Sequence, residues 1–314
     1  MTAATIAGLG TALPDARLTN ADLEARLDTS DAWIVARTGI RERRVAAPSE
    51  TSGSLAVGAS AAAIKDAGLV PDDVDLLVVA TTTPDQALPQ TSALVHEGLG
   101  LRCGAFDVGA ACAGFVHGLV VGASLLDAGS LNAVVVVGSE TLTRLVDPDD
   151  RGTAPLFGDG AAAVVLRPAD PNYGLLAWDL GCDGSASGIL EVPPGERYIR
   201  MEGQEVFRRA VRAVIASAAT ALARAGCTAA EVDLFVPHQA NARIITLAAD
   251  RLGISSERTM VNVDRYGNTS AASVPLALAE AAEAGRLHDG DVVLLSGFGA
   301  GMAWASAVLR WGGV

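Results

Sequence analysis

The sequence has few cysteines, few aromatic residues and little positive charge. Its 314 residues include four Cys, and only 4% of them are aromatic. Four Cys without a CxxC pair exclude a disulfide-stabilised scaffold and argue against a zinc site, so we expect no metal. The 23 Lys and Arg against 36 Asp and Glu give a net charge of −13, which argues against nucleic acid as a partner. Any anionic partner would need a local basic patch.

Apolar residues, in contrast, are plentiful: half of the chain is hydrophobic, and the mean hydropathy is +0.34. One uncharged stretch, residues 109–126, approaches the ~18 apolar residues of a membrane span. Gly and His interrupt it, Asp107 and Asp127 flank it, and no basic anchor follows. We therefore interpret it as a strand end and a buried helix of a soluble protein with no membrane partner. The N-terminus lacks a signal-peptide pattern, and we expect a cytoplasmic location.

The chain repeats one pattern at about half its length. Residues 62–79 and 221–236 both read as a helix that ends at Ala-Gly, an acidic turn and an apolar strand. The spacing predicts two similar α/β halves, 1–168 and 169–314, divided where Pro and Asp interrupt the hydrophobic pattern. The alternative is that any two helix–Gly–strand units look alike.

Cys112 falls at a predicted turn between a strand and a helix. Residues 105–108 read as a strand end, and small apolar residues from Ala113 onward read as a helix. The dipole and free N–H groups of a helix N-terminus favour a thiolate, and the small neighbours would let a substrate approach. The alternative is a buried Cys that packs as a small hydrophobic residue.

Two polar side chains in the second half could act with this thiol. His238 follows an apolar strand, and Asn268 precedes an apolar helix. Each has an ordinary structural interpretation, but a thiol, an imidazole and a carboxamide at such positions suit nucleophilic catalysis by Cys. A glycine-rich loop, residues 296–302, could hold an oxyanion with its backbone N–H groups, or could be a tight turn.

Seven motifs, in order along the whole chain, resemble the β-ketoacyl-acyl carrier protein synthase III family of the thiolase superfamily. They are DAWIVARTGIRERR (31–44), GAACAGF around Cys112, DRGTAPLFGDGAAA (150–163), RMEGQEVF (200–207), PHQAN around His238, YGNTSAAS around Asn268 and GFGAGM near the end. The resemblance implies an α/β, thiolase-like five-layer αβαβα fold with two duplicated halves.

The resemblance also implies a decarboxylative Claisen condensation that initiates fatty acid or polyketide synthesis. Cys112 would take an acyl group from acyl-CoA, and malonyl-acyl carrier protein would lose CO2 to give the enolate that attacks it. His238 and Asn268 would donate hydrogen bonds to the malonyl thioester oxygen, and the N–H groups of Cys112 and Ala300 would form the oxyanion hole. Acyl-CoA is a substrate here, and no further cofactor is implied.

Binding residues follow from the same motifs. The positions that match contacts to CoA are Thr29, Trp33, Arg37, Arg151 and Asn241. The positions that match the patch for docking the carrier protein are Arg208, Arg243 and Arg251, although Asp250 stands where the family is often basic. The positions that match the acyl pocket are Leu88, Leu142, Phe157 and Met201.

The resemblance further implies a homodimer in which residue 88 reaches the partner's acyl pocket. The family often has a bulky aromatic residue there, so Leu88 suggests a primer larger than acetyl. A specialised acyltransferase or a polyketide-priming relative would carry the same trio and is the main alternative. Degradative thiolases need a Cys in the last glycine-rich loop, and elongating enzymes have His in place of Asn268. A scaffold subunit would have lost the nucleophile.

Overall fold

The computed structural model describes residues 3–313. The strands are β1 (Ala3–Ala12), β2 (Arg17–Thr19), β3 (Glu42–Arg44), β4 (Leu76–Ala80), β5 (Gly104–Val108), β6 (Val134–Thr141), β7 (Asp159–Ala169), β8 (Gly174–Cys182), β9 (Leu190–Glu191), β10 (Arg200–Met201), β11 (Leu234–Pro237), β12 (Val292–Gly299) and β13 (Ala303–Arg310). The helices are α1 (Asn20–Glu24), α2 (Asp31–Thr38), α3 (Ser52–Asp66), α4 (Thr91–Leu99), α5 (Gly114–Leu125), α6 (Gly203–Ala225), α7 (Ala242–Leu252), α8 (Val263–Tyr266) and α9 (Ser273–Glu283).

Two mixed sheets carry the same topology. The first has the order β1-β7-β6-β4-β5, and the second has the order β11-β12-β13-β8. In the first sheet β4 and β6 are parallel, and β7 runs antiparallel to β6. In the second sheet β11 and β12 are parallel, and β13 runs antiparallel to β12. Thr259 adds a single parallel bridge beside β11, at the place of a fifth strand. The two α/β halves inferred from the repeat are therefore confirmed in the fold.

The sheets and helices stack in five layers. Along β4, Val78 faces the centre of the molecule, whereas Leu77 and Val79 face outward to α3 and α4. The same alternation on β11 directs Val236 to the centre and Phe235 to α6 and α7. Because both faces of each sheet are covered, the strands are apolar throughout. The predicted αβαβα architecture is confirmed.

Helices α5 and α9 fill the central layer between the sheets. Phe115 and Leu119 of α5 and Leu278 of α9 pack in the same buried cluster as the inward side chains of both sheets. The stretch Ala111–Ser130 has the length and composition of a membrane span, but most of it is buried inside this fold. The uncharged run in the sequence thus forms the helix between two sheets.

The first turns of the two central helices pack crosswise on the opposite sheets. A Cβ on Gly138 of β6 would lie 2.2 Å from the carbonyl oxygen of Ala271, at the start of α9. A Cβ on Gly297 of β12 would lie 3.1 Å from the Cα of Ala113, at the start of α5. Glycine is required at position 138, and a side chain at position 297 would need the Ala113 turn to shift. Both contacts place a turn of one half against a strand of the other. The sheet of the first half ends at Ala169, and that of the second begins at Gly174.

Candidate active site

Cys112 lies in a single helical turn, Ala111–Ala113, that joins β5 to α5. The residue before it, Ala111, has a φ of +46°, in the left-handed region that non-glycine residues rarely adopt. Such backbone strain is held by the surrounding structure and is typical of functional sites. The turn presents the thiol between the two halves.

Cys112, His238 and Asn268 line one cavity of about 80 Å³. The thiol comes from the turn before α5, the imidazole from the end of β11, and the carboxamide from the segment before α9. The three predicted side chains, distant in sequence, are therefore brought together by the packing of the two halves.

The carboxamide of Asn268 has a fixed orientation. Its Oδ1 accepts a hydrogen bond from the backbone N–H of Ser270 at 2.9 Å. The backbone of Asn268 is also fixed: its N–H donates to the Leu156 carbonyl at 2.8 Å, and its backbone carbonyl accepts from the N–H of Gly158 at 3.0 Å. Because the oxygen is occupied, Nδ2 is the end of the amide that is free to donate to a ligand.

The imidazole of His238 is buried without a polar partner. It is 2% exposed, and neither ring nitrogen has a hydrogen-bond partner within residues 3–313. Phe298 packs against the ring edge-to-face at 5.2 Å. Burial lowers the pKa of His238 to about 3, so the ring is neutral at physiological pH. A buried imidazole with both nitrogens unsatisfied is costly, and a ligand in the cavity would offset that cost.

Gln239 holds the segment that carries His238. Its backbone N–H donates to Ser273 Oγ at 2.6 Å, and its side-chain amide donates to the carbonyls of Pro237 and Met260 at 2.8 and 3.0 Å. Its Oε1 accepts from the N–H of Asn262 at 2.8 Å. Every polar atom of this buried side chain is used, which fixes the imidazole relative to the second sheet.

Burial of Cys112 opposes the thiolate that a helix N-terminus favours. Burial raises the pKa of the thiol to about 12, and the nearby Glu140 carboxyl raises it further, against a lowering contact from the Ser270 hydroxyl. A rise from 9.0 to about 12 corresponds to roughly 4 kcal/mol against the thiolate. A helix N-terminus contributes about 0.3–2 kcal/mol in the other direction, so desolvation dominates and the resting side chain is a thiol.

A second cavity of about 160 Å³ meets the other side of Cys112. Leu142 and Phe157 of the predicted acyl pocket line it, while Met201 lines the first cavity. Leu88 lines neither cavity and is 78% exposed. The side chains that sequence reasoning missed in this second cavity are Thr82, Leu145, Leu190, Glu191, Val192, Ile199 and Ser270. Several come from residues 190–199 of the β9–β10 hairpin, which precede the RMEGQEVF motif and belong to no motif themselves.

The glycine-rich loop after β12 lies against the backbone of Cys112. A Cβ on Gly299 would lie 2.5 Å from the Cys112 nitrogen, and Ala300 lines the second cavity beside the thiol. Position 299 must therefore be free of a side chain for the loop to approach the Cys112 backbone this closely. The predicted oxyanion hole, formed by the N–H groups of Cys112 and Ala300, would lie at this contact.

Trp33, Arg37 and Arg151 form one stacked group on the surface. The guanidinium of Arg151 lies 4.4 Å from the centre of the Trp33 ring, and that of Arg37 lies 5.1 Å from it. The Oγ1 atom of Thr29 is buried without a hydrogen-bond partner within residues 3–313. Asn241 lines the first cavity, and its side chain also caps α7 and donates to the Arg37 carbonyl at 3.0 Å.

The three arginines of the predicted docking patch differ in their contacts. Arg243 stacks on Phe207, which lines the first cavity, at 5.5 Å. Arg208 forms an exposed ion pair with Glu205, and Arg251 is exposed in the last turn of α7. Within residues 3–313, no group of three or more His, Cys, Asp or Glu side chains is arranged to hold a metal ion.

The buried thiol leads to a testable pH dependence. With a pKa near 12, only a small fraction of Cys112 is thiolate at neutral pH, and this fraction increases about tenfold per pH unit. We expect the rate of Cys112 alkylation by iodoacetamide to rise accordingly from about pH 7 to pH 10 without a plateau. Peptide mapping by mass spectrometry in a Cys182→Ser background, which removes the exposed thiol, measures this rate. A plateau below about pH 9 would contradict the assignment.

Comparison with known proteins agrees with the fold. The family model described as 3-oxoacyl-[acyl-carrier-protein] synthase III matches residues 106–184, and the model of its C-terminal part matches residues 222–311. β-Ketoacyl-[acyl-carrier-protein] synthase III of Desulfitobacterium hafniense is 46% identical over 98% of this chain and 97% of its own length.

Solved structures of such enzymes superpose on the whole chain. The structure of β-ketoacyl-[acyl carrier protein] synthase III from Thermus thermophilus has a TM-score of 0.96 and 46% identity, and the match covers 99% of this chain and 100% of that one. The priming β-ketosynthase of the R1128 polyketide pathway has a TM-score of 0.92 and 38% identity, with 98% and 96% covered. With the five-layer fold, the three converging side chains and near-complete coverage at such identity, the chain belongs to the β-ketoacyl-[acyl-carrier-protein] synthase III family.

Proposed function

We propose that this protein condenses a short acyl-CoA primer with malonyl-acyl carrier protein and so initiates the synthesis of a fatty acid. The observation that carries the proposal is the convergence of Cys112, His238 and Asn268 on one cavity. It acts as an acyltransferase with a covalent intermediate, in the cytoplasm. The reaction needs no metal or redox cofactor, because a thiol supplies the nucleophile and decarboxylation supplies the carbanion.

The first half-reaction transfers the acyl group to Cys112. The sulfur attacks the acyl-CoA carbonyl, and the N–H groups of Cys112 and Ala300, two residues that line the second cavity, bind the oxyanion. The thiol proton passes to the sulfur of the leaving CoA as the two thioester bonds exchange, while the neutral imidazole of His238 lines the same cavity as the thiol. The acyl chain then occupies the apolar second cavity.

The second half-reaction forms the carbon–carbon bond. The malonyl thioester enters the first cavity, where Nδ2 of Asn268 and an N–H of His238 donate to its carbonyl oxygen. Loss of CO2 places negative charge on that oxygen, and the two donors stabilise the resulting enolate. The enolate carbon attacks the acyl-Cys112 carbonyl and releases the thiolate, and the product is a β-ketoacyl-acyl carrier protein.

CoA and the carrier protein use the surface beside the first cavity. The Trp33 ring, Arg37 and Arg151 form a flat, cationic platform suited to a purine base and phosphates. The unpartnered Thr29 hydroxyl and Asn241, at the cavity, fit the remainder of CoA. Arg208, Arg243 and Arg251 form the local basic surface that an acidic enzyme needs in order to dock an acidic carrier protein.

A polyketide-priming role is the second candidate. The priming β-ketosynthase of the R1128 pathway is 38% identical to this chain over nearly its whole length. Such an enzyme would use the same trio and transfer its primer to a dedicated carrier protein. A specialised relative that moves the acyl group to an oxygen or nitrogen nucleophile would also begin with acyl-Cys112. Products formed with each acceptor, identified by mass, distinguish these possibilities.

Replacing Asn268 separates the two half-reactions. Asn268→Ala removes one of two donors to the enolate oxygen. It leaves Cys112 and the N–H groups of the proposed oxyanion hole in place. We expect Cys112 acylation by acyl-CoA to continue and condensation to fall about 10²–10³-fold. Intact-protein mass spectrometry follows acylation, and product formation with malonyl-acyl carrier protein follows condensation. Cys112→Ala is the matched control and should abolish both. Full condensation by Asn268→Ala would contradict the proposed role.

The exposed edge of the first sheet indicates a homodimer. β5 is the edge strand, its Gly104 and Ala105 are exposed, and its one charge, Asp107, is turned inward to accept bonds from the first N–H groups of α4. An edge strand without Lys, Pro or covering chain is open to pairing. We propose that β5 pairs with β5 of a second copy, which also covers the exposed Leu88.

Sedimentation equilibrium tests the dimer. We expect twice the chain mass of 31.9 kDa for the unchanged protein. Ala105→Lys places a charge on the pairing edge and should give the monomer mass. Leu180→Lys puts the same charge on β8, the edge strand of the other sheet, and should leave the dimer intact. A monomeric unchanged protein, or equal behaviour of the two variants, would refute the pairing.

Leu88 gives a prediction about the primer. If this exposed leucine reaches the partner's acyl pocket, it leaves more room there than an aromatic ring. We expect isobutyryl-CoA to be used at least as well as acetyl-CoA. Leu88→Phe should reduce the isobutyryl-to-acetyl ratio of kcat/KM by about 10-fold or more, the cost of a lost fit for one or two methyl groups. Strict acetyl preference of the unchanged enzyme would contradict this view.

A further inference from the structure

Glu140 is a buried acid close to the nucleophile that the mechanism above does not use. It lies near the end of β6 and is 0% exposed. Its carboxyl oxygens accept from Thr83 Oγ1 at 2.6 Å, from the backbone N–H of Thr82 at 3.1 and 3.2 Å, and from Thr82 Oγ1 at 3.0 Å. Within residues 3–313, no Lys or Arg forms an ion pair with it. A fully buried carboxyl without a cationic partner is rare enough to require a reason.

The internal symmetry of the fold gives Glu140 a counterpart. The inward-facing residues Val134 and Val136 of β6 correspond to Val293 and Leu295 of β12, and both sets pack in the central core. The pairing of β4 with β6 and of β11 with β12 has the same register. This alignment places Gly138 opposite Gly297 and Glu140 opposite Gly299.

The turns that face these two positions also correspond. Ala111, before Cys112, has a φ of +46°, and Ser270, before Ala271, has a φ of +47°. In the first case, Gly299 packs its backbone against the Cys112 nitrogen and carries no side chain. In the second case, Oε1 of Glu140 lies 3.4 Å from the Ala271 nitrogen. A carboxyl side chain in one half thus corresponds to a position without a side chain in the other.

Ser270 links this carboxyl to two of the reacting groups. It lines the second cavity together with Cys112, and the N–H of the next residue, Ala271, lies 3.4 Å from the Glu140 carboxyl. The backbone N–H of Ser270 donates to Oδ1 of Asn268 at 2.9 Å. Any change in the strained Ser270 turn therefore moves the thiol contact and the Asn268 amide together.

We propose that Glu140 is a positioning residue for the condensation: its buried carboxyl, at the position that corresponds to Gly299, holds the turn of Ser270 and Ala271 and thereby orients Asn268 and the Ser270 side chain beside Cys112. The proposal rests on the proposed function of the cavity. A purely structural buried acid would affect stability alone. A positioning carboxyl also affects the environment of the sulfur and the step that depends on Asn268, because it holds the turn whose N–H fixes the Asn268 amide.

Glu140→Gln tests the charge and its hydrogen bonds at constant size. The amide has one acceptor oxygen, and its NH2 group faces the N–H groups of Thr82 and Ala271. We expect the pH profile of Cys112 alkylation to shift to lower pH, because a negative charge near the thiol disfavours the thiolate. We also expect the ratio of condensation rate to acylation rate to fall at least about tenfold.

Two further variants keep the test decisive. Glu140→Asp keeps the carboxyl but moves it away from the turn. We expect the ratio of condensation rate to acylation rate to fall. The alkylation profile should change less than it does in Glu140→Gln. Asp159→Asn alters another carboxyl that is 0% exposed and accepts three hydrogen bonds, from Ala46 and Thr143. It should lower thermal stability without moving the profile.

An alkylation profile and a rate ratio that both match the unchanged protein in Glu140→Gln and Glu140→Asp would overturn the proposal. A profile shift of equal size in Asp159→Asn would also overturn it. Because the alkylation profile needs no substrate, it tests Glu140 even if the unchanged protein were to condense no malonyl-acyl carrier protein, a result that would sink the proposed function instead.

Discussion

The close packing of each half's helix-start turn on the strand of the other half is the constraint on which the structure depends. Gly138 and Gly297 permit it, since a side chain at position 138 would collide with the opposite turn and one at position 297 would press against it. The packing brings the turn of Cys112 against β12 and the Asn268 segment against β6. The cavity between the halves, and all chemistry in it, follows from this contact.

The two halves share a backbone and differ in chemistry. The turn before α5 carries a thiol and faces a glycine, whereas the turn before α9 carries Ser270 and faces a carboxyl. The turn of Cys112 therefore meets a strand position without a side chain, whereas the turn of Ser270 meets the Glu140 carboxyl. Burial governs both: it keeps Cys112 a thiol and His238 neutral, so the resting site holds no charge on either reacting group.

Much of this could be predicted from the sequence, because it depends on local pattern and on motif. The apolar strands around Val78 and Val236, the helix after Cys112 and the repeat at half the chain length all have local signals, and the motifs name Cys112, His238 and Asn268. The state of the thiol could not be predicted, because desolvation depends on how the halves close over it. Leu190 and Ile199 were missed because they precede the RMEGQEVF motif, and only the folding of the hairpin brings them to the second cavity. Glu140 is visible in the sequence as an acid at the end of an apolar run, but its contact with Ser270 is a product of the fold.

The central claim is that one sulfur, reached from a cavity on either side, carries the acyl group between the two half-reactions. Incubation with an acyl-CoA, followed by intact-protein mass spectrometry and peptide mapping, tests it most directly. The account predicts one acyl group per chain on Cys112, which disappears when malonyl-acyl carrier protein is added. An adduct on another residue, or none at all, would contradict it.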